Sequence, residues 1–217
     1  MTENTLEIDA PAKINLYLRV TGRRADGYHY LATLMQKVSL FDRVVLRRNT
    51  TGIRLYCPDS NLPEDEGNLV YRAARLFLQA MAPRLHGQPG VTITLSKNIP
   101  LAAGLGGGSS DAAAVLVGLN RLFATECTEA ELLALGGRLG ADVPLFIVDW
   151  PVAWATGIGD RLHPAVPMAG YRILLVNPGF SVATAWVYEK FALTAERKKI
   201  NLLNFDDEHA RGADCPF

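Results

Sequence analysis

NIPLAAGLGGGSSDAAA, residues 98–114, holds four glycines (Gly104, Gly106, Gly107, Gly108), then Ser109 and Ser110, then the apolar run DAAAVLVGLNRLF. The run predicts a helix and the glycines a turn entering it. Glycine permits positive φ and close backbone approach, while free N–H groups and the positive dipole end of a helix favour an anion. The stretch therefore reads as a phosphate cradle. It is not a Walker A loop, because Gly108 and not lysine precedes Ser109. It is not a Rossmann fingerprint either, since Gly106 leads three residues on to Ser109 and Gly108 to Asp111. A flexible linker is disfavoured by the helix that follows at once.

Outward from the loop, VTITLS alternates Val91, Ile93 and Leu95 as a half-buried strand feeding it. Before that, NLVYRAARLFLQAMA predicts a helix with Leu69, Ala73, Leu76, Phe77, Ala80 and Met81 on its buried face. Leu6 to Ile8 and Asn15 to Val20 read as short strands flanking a turn at APAK. Thr33 to Leu46 reads as two strands joined near Phe41 and Asp42, and Gly52 to Cys57 as another. The loop TGRRADGYHYL carries Arg23, Arg24, Tyr28 and His29 between turn residues Gly22 and Gly27. Downstream, Thr128 and Glu131 form a capping-box pattern before a helix burying Leu132, Leu135 and Leu139. Asp142, between Gly140 and Pro144, reads locally as an N-cap. AWATGIGDRL and YRILLVNPG follow as strands, and SVATAWVYEKF as a helix.

The totals narrow the function. The chain has 217 residues, 49% apolar and 20% charged, with 22 basic and 22 acidic side chains. That composition suits a folded chain, and zero net charge gives no global field for nucleic acid or an anionic membrane. Cys57, Cys127 and Cys215 are far apart, so neither a disulfide framework nor a zinc site is expected. The opening residues MTENTLEIDA lack a signal-like pattern and no run has the length of a membrane span, so the expected address is the cytoplasm.

APAKINLYLRVTGRRADGYHYL, NIPLAAGLGGGSSDAAA and LGADVPLFI occur in that order, and together they resemble the GHMP small-molecule kinases, from Ala10 to about Thr184. RRADGYH and GADVP narrow the resemblance to the branch that acts on a cytidine-diphosphate-linked methylerythritol in non-mevalonate isoprenoid synthesis. The implied fold is α+β. A nucleotide-binding domain like the second domain of ribosomal protein S5 would span residues 1–153, and an incomplete ferredoxin-like substrate domain residues 154–217.

The implied chemistry moves the γ-phosphoryl of ATP, with Mg²⁺, to a tertiary hydroxyl. Such transfer asks a protein chiefly for positioning and charge neutralisation. By resemblance Asp142 is the catalytic base and Lys13 its partner. Tyr28 and His29 receive the cytosine, with Asn15 near the substrate. The backbone of Gly104, Leu105, Gly106, Gly107, Gly108, Ser109 and Ser110 surrounds the phosphates, and Ser109 or Ser110 reaches a phosphate or its magnesium. Asn68 and Lys97 line the adenine pocket. No side chain is nominated as a direct metal ligand, and Asp111 is expected to cap the helix.

One departure stands out. The family's third glycine-rich motif is missing, since only Gly170, Gly179 and Gly212 follow Gly159. The chain is therefore expected to be truncated, with an apolar strand at Ile173 to Val176 poorly covered. Alternatives are a nucleotide-binding module without catalysis, another GHMP kinase acting on mevalonate derivatives, sugars or homoserine, and an RNA-binding domain on the related ribosomal-protein fold. No nucleic-acid or membrane partner is expected, and the chain is expected to be a monomer or weak homodimer.

Overall fold

The computed structural model describes residues 4–23, 25, 29–168, 170–177 and 179. In chain order the elements are β1 (Thr5–Arg23), β2 (His29–Asn49), β3 (Ile53–Tyr56), α1 (Leu69–Ala80), β4 (Gly90–Ser96), α2 (Gly107–Phe123), α3 (Glu129–Leu139), α4 (Val143–Ile147), β5 (Val152–Thr156) and β6 (Arg161–Pro164), with a 3₁₀ turn at Ala82–Arg84. The chain divides into two compact units. Of the described residues, one unit takes 4–13, Val38–Leu101 and Leu105–Asp149, and the other takes Ile14–Lys37, Ala102–Gly104 and those after Asp149.

Two expected breaks are absent. β1 runs unbroken through APAK because Ala10 and Ala12 keep the inward positions of the alternation, both almost fully buried. Pro11 lacks a donor, which a strand tolerates where its N–H is not needed in a ladder. β2 runs unbroken through Phe41 and Asp42. The buried Asp42 carboxylate accepts the N–H groups of Asn98 and Ile99 at 2.6 and 2.8 Å, so its charge is satisfied without leaving the strand.

In the first unit β4 lies between β2, antiparallel from Arg43↔Ser96 to Asn49↔Gly90, and β3, parallel from Ile53↔Val91 to Tyr56↔Thr94. Period-two alternation sends Val44, Leu46, Leu55, Val91, Ile93 and Leu95 to the face that the helices cover. α2 contacts α1, α3 and α4 and is buried on almost every side, from Ser110 to Leu116 and again at Gly118, Leu119 and Leu122. Gly118 lets it sit close to the sheet, since a Cβ there would fall 2.4 Å from Leu46 Cδ1 and 2.5 Å from Ile8 Cδ1. α1 starts at Asn68, whose side chain accepts Val70 N–H at 3.0 Å. Its buried stripe is Val70, Ala73, Ala74, Phe77 and Met81, turned slightly from the expected face so that Ala80 is exposed. α3 opens with both bonds of the Thr128–Glu131 capping box.

In the second unit β2 pairs antiparallel with β5 from Thr33↔Ala155 to Gln36↔Val152, and β5 with β6 from Ala153↔Pro164 to Thr156↔Arg161. Tyr17 meets Trp154 edge-on, with ring centroids 5.8 Å apart. The expected strand at YRILLVNPG does not form: residues 171–177 are irregular, and Tyr171, Leu174 and Val176 are largely exposed. An apolar run becomes a strand only where another strand takes up its hydrogen bonds. SVATAWVYEKF lies outside the described residues.

Candidate active site

The cradle forms where α2 begins. The helix starts at Gly107, so Gly107, Gly108, Ser109 and Ser110 are its first turn and not the loop before it. Gly106 takes the N-cap position with φ 72°, a left-handed conformation that other residues adopt only under strain. No side chain caps the helix and no acidic residue occupies its first turn. The N–H groups of Gly107, Gly108 and Ser109 precede the first internal bond, from Ser110 N–H to Gly106 O at 2.9 Å. The Ser110 hydroxyl is buried with no hydrogen-bond partner among the described residues. Uncapped donors, a helix dipole and an orphaned hydroxyl together suit an anionic oxygen cluster.

Lys13 comes to this point from β1. Its N–H donates to Leu105 O at 2.9 Å, which ties the strand to the glycine loop. Its stem packs against Gly106, where a Cβ would fall 3.0 Å from Lys13 Cγ and 3.0 Å from Phe146 Cζ. The ammonium lies 3.6 Å from Asp142 Oδ2. Asp142 occupies the N-cap position of α4 but makes no capping bond with its side chain. That side chain is 38% exposed while the Lys13 side chain is 8% exposed, so the pair is buried on the lysine side and open on the carboxylate side.

A second lysine is held differently. Lys97 Nζ donates to Asp42 Oδ2 and, at 2.7 Å, to Asp111 Oδ2. Both aspartates are essentially fully buried. Burial pushes the Asp111 carboxyl up to about 7, with Lys97 opposing the shift and Asp42 adding to it. Asp111 is the fifth residue of α2, inside the helix and not at its cap, and its Oδ1 has no hydrogen-bond partner among the described residues. Cys57 is near this cluster. Burial raises its thiol pKa, Glu64 and Asp111 add to the rise, and Lys97 counters it. Asn68 Nδ2 lies 3.7 Å from Cys57 Sγ and donates to Pro63 O at 2.9 Å.

Lys13, Asn68, Lys97, Leu105, Gly106, Gly107, Gly108, Ser109, Ser110 and Asp142 thus belong to one unit, in which Lys13, Asp142 and the start of α2 converge. Asn15, His29 and Gly104 belong to the other unit, and Tyr28 lies outside the described residues. Asp42, Asp111 and Cys57 escaped the sequence analysis as site neighbours. An aspartate in the middle of the apolar alternation SLFDRVVL was the available signal, since a charge on an inward position needs a buried partner. Among the described residues no group of three or more His, Cys, Asp or Glu gathers to hold a metal ion.

Residues 68–149 match the model for the GHMP kinases N terminal domain. The chain is 52% identical over 197 residues to 4-diphosphocytidyl-2-C-methyl-D-erythritol kinase of Syntrophus aciditrophicus, covering 90% of this chain and 68% of that protein. It is 51% identical over 195 residues to the enzyme of that name from Desulfotalea psychrophila, covering 89% and 64%. A solved 4-(cytidine 5'-diphospho)-2C-methyl-D-erythritol kinase superposes with a TM-score of 0.64 at 44% identity, over 78% of this chain and 61% of the other. A homoserine kinase from Cytophaga hutchinsonii shares the fold at 20% identity, with a TM-score of 0.57. The chain therefore spans about two thirds of the length of the relatives it matches, and it belongs to the 4-diphosphocytidyl-2-C-methyl-D-erythritol kinase family of GHMP kinases.

Proposed function

We propose that this chain carries the ATP- and cytidine-dependent chemistry of its family: transfer of the γ-phosphoryl of ATP to the tertiary 2-hydroxyl of 4-diphosphocytidyl-2-C-methyl-D-erythritol. The observation that carries this reading is the Lys13–Asp142 pair beside an uncapped helix start. The Asp142 carboxylate accepts the hydroxyl proton as the oxygen attacks. A new O–P bond forms, the bond from Pγ to the bridging oxygen breaks, and ADP leaves with the electron pair. Lys13 orients the carboxylate and offsets the charge that gathers there. The first-turn N–H groups of α2 and the hydroxyls of Ser109 and Ser110 hold phosphate oxygens.

Magnesium bound with the nucleotide would neutralise phosphate charge, with the Ser109 or Ser110 hydroxyl as the group that would reach it. The orphaned Ser110 hydroxyl supports that fit, since a hydroxyl oxygen suits phosphate or a hard cation. Asn68 and Lys97 line the adenine side, while Tyr28 stacks on the cytosine, His29 bonds its edge and Asn15 approaches the erythritol. The test is ADP release by the 217-residue chain with Mg²⁺, ATP and the cytidine substrate, beside a substrate-free control. Substrate-dependent release is expected. Binding of Mg-ATP without turnover would instead favour a nucleotide-binding module.

A further inference from the structure

Nothing in the glycine loop's own side chains fixes where the loop lies. Gly106 has no side chain, and α2 starts without a cap. Besides the main-chain bond from Lys13 to Leu105, a restraint comes from below. Asp42 Oδ1 accepts the N–H groups of Asn98 and Ile99, and Oδ2 accepts Lys97 Nζ, so one carboxylate grips three consecutive residues where the chain leaves β4 for the loop. Through Lys97 the grip reaches Asp111 in the second turn of α2, beyond the loop's other end. The cluster also lies directly under the first residue of the helix. A Cβ on Gly107 would stand 3.2 Å from Lys97 Nζ and 3.3 Å from Asp42 Oδ2.

We propose that Asp42 is the positioning residue of the nucleotide phosphate site, holding both ends of the glycine loop so that the first-turn N–H groups of α2 are preset before the ligand arrives. This rests on the assignment of that helix start to nucleotide phosphates. Asp111 has a different part: it balances Lys97 but touches no backbone N–H of the loop. The cluster carries two carboxylates and one ammonium, so Asp42→Asn and Asp111→Asn change its charge by the same amount and each leaves a neutral lysine–aspartate pair. Asp42→Asn leaves one acceptor oxygen and sets an NH₂ donor against either Lys97 Nζ or the N–H groups of Asn98 and Ile99, so it loosens the loop, whereas Asp111→Asn touches no loop N–H and still offers an oxygen to Lys97 Nζ.

The experiment compares the two variants with wild type in the full chain. Mg-ADP affinity is measured by calorimetry, KM for ATP and kcat by turnover, and amide exchange at Asn98 and Ile99 by NMR. Asp42→Asn is expected to weaken Mg-ADP about 10- to 100-fold, the scale of losing hydrogen bonds to a charged group. It raises KM for ATP more than it lowers kcat and strips protection from the two amides. Asp111→Asn keeps Mg-ADP affinity within about threefold, the scatter expected of a change that breaks no contact with the loop, and keeps the protection. Equal effects of the two variants would overturn the proposal, as would retained protection in Asp42→Asn. If wild type binds no Mg-ADP, the phosphate assignment fails, and the exchange data still judge the grip. Should Asp42→Asn not fold, wild-type exchange decides: amides 98 and 99 as slow as those of β4 support the grip, and exchange as fast as an exposed loop overturns it.

Discussion

Lys13 and Lys97 stand under successive glycines where α2 begins, Gly106 and Gly107, and each faces aspartate, yet they are built to opposite ends. Lys97 is closed in, with two carboxylates in hydrogen-bond contact and almost no exposure. Lys13 is 3.6 Å from the Asp142 carboxylate, which is open to solvent. A closed cluster cannot exchange a partner for a ligand without stranding a buried charge, so its charges serve architecture. The open pair can accept a substrate hydroxyl between its members at small cost, as the chemistry proposed for it requires.

The largest effect expected from this contrast is on turnover. Asp142→Asn is expected to lower kcat about 10²- to 10⁴-fold, the scale of a general base, with Mg-ADP affinity nearly unchanged. Steady-state kinetics beside calorimetry checks both, and unchanged turnover would dissolve the distinction between the two pairs. Next in size is a pH effect on stability from the closed cluster. The Asp111 carboxyl titrates near 7 in the folded chain against an ordinary 3.8, so the folded state binds the extra proton between those values. Its stabilising contribution is complete below about pH 4 and is lost as pH rises through 7, at most roughly 4 kcal/mol. Urea unfolding at several pH values should show that slope in wild type and not in Asp111→Asn.

The smallest effect belongs to a third cluster, outside the site. Glu131 caps α3 with Thr128 and bonds Arg84, and the Arg84 bond followed by those of Thr128 holds its carboxyl down at about 2. That contribution is present above pH 4.5 and lost as pH falls through 2, the reverse of Asp111. Thr128→Ala is expected to cost about 1 kcal/mol, with no change in Mg-ADP binding. Equal losses of stability in this variant and of ligand affinity would mean that the clusters are not independent.

The glycine loop, the capping box and the alternation of β4 were legible because each is a local pattern with one physical solution. Lys13 and Asp142 were not legible locally. Alone, one resembles a surface lysine and the other an N-cap, and only the resemblance joined them across 129 residues of chain. The continuity of β1 and β2 was hidden by Pro11 and Asp42, both normally breakers of an apolar run. Their accommodation depends on long-range partners: Asn98 and Ile99 satisfy Asp42 from 56 and 57 residues away. The segment 171–177 failed in the other direction, since its composition suits a strand but no described neighbour pairs with it.

The main-chain bond from Lys13 to Leu105 separates two things that a lysine usually does together. The charge belongs to the side chain, but the tether to the loop belongs to the backbone and survives any substitution except proline. Removing the side chain would therefore leave its socket standing, roofed by Gly106 and walled by Phe146. Such a hole has the shape and polarity of a small alkylammonium ion, so the missing charge can be resupplied from solution as a diffusible reagent.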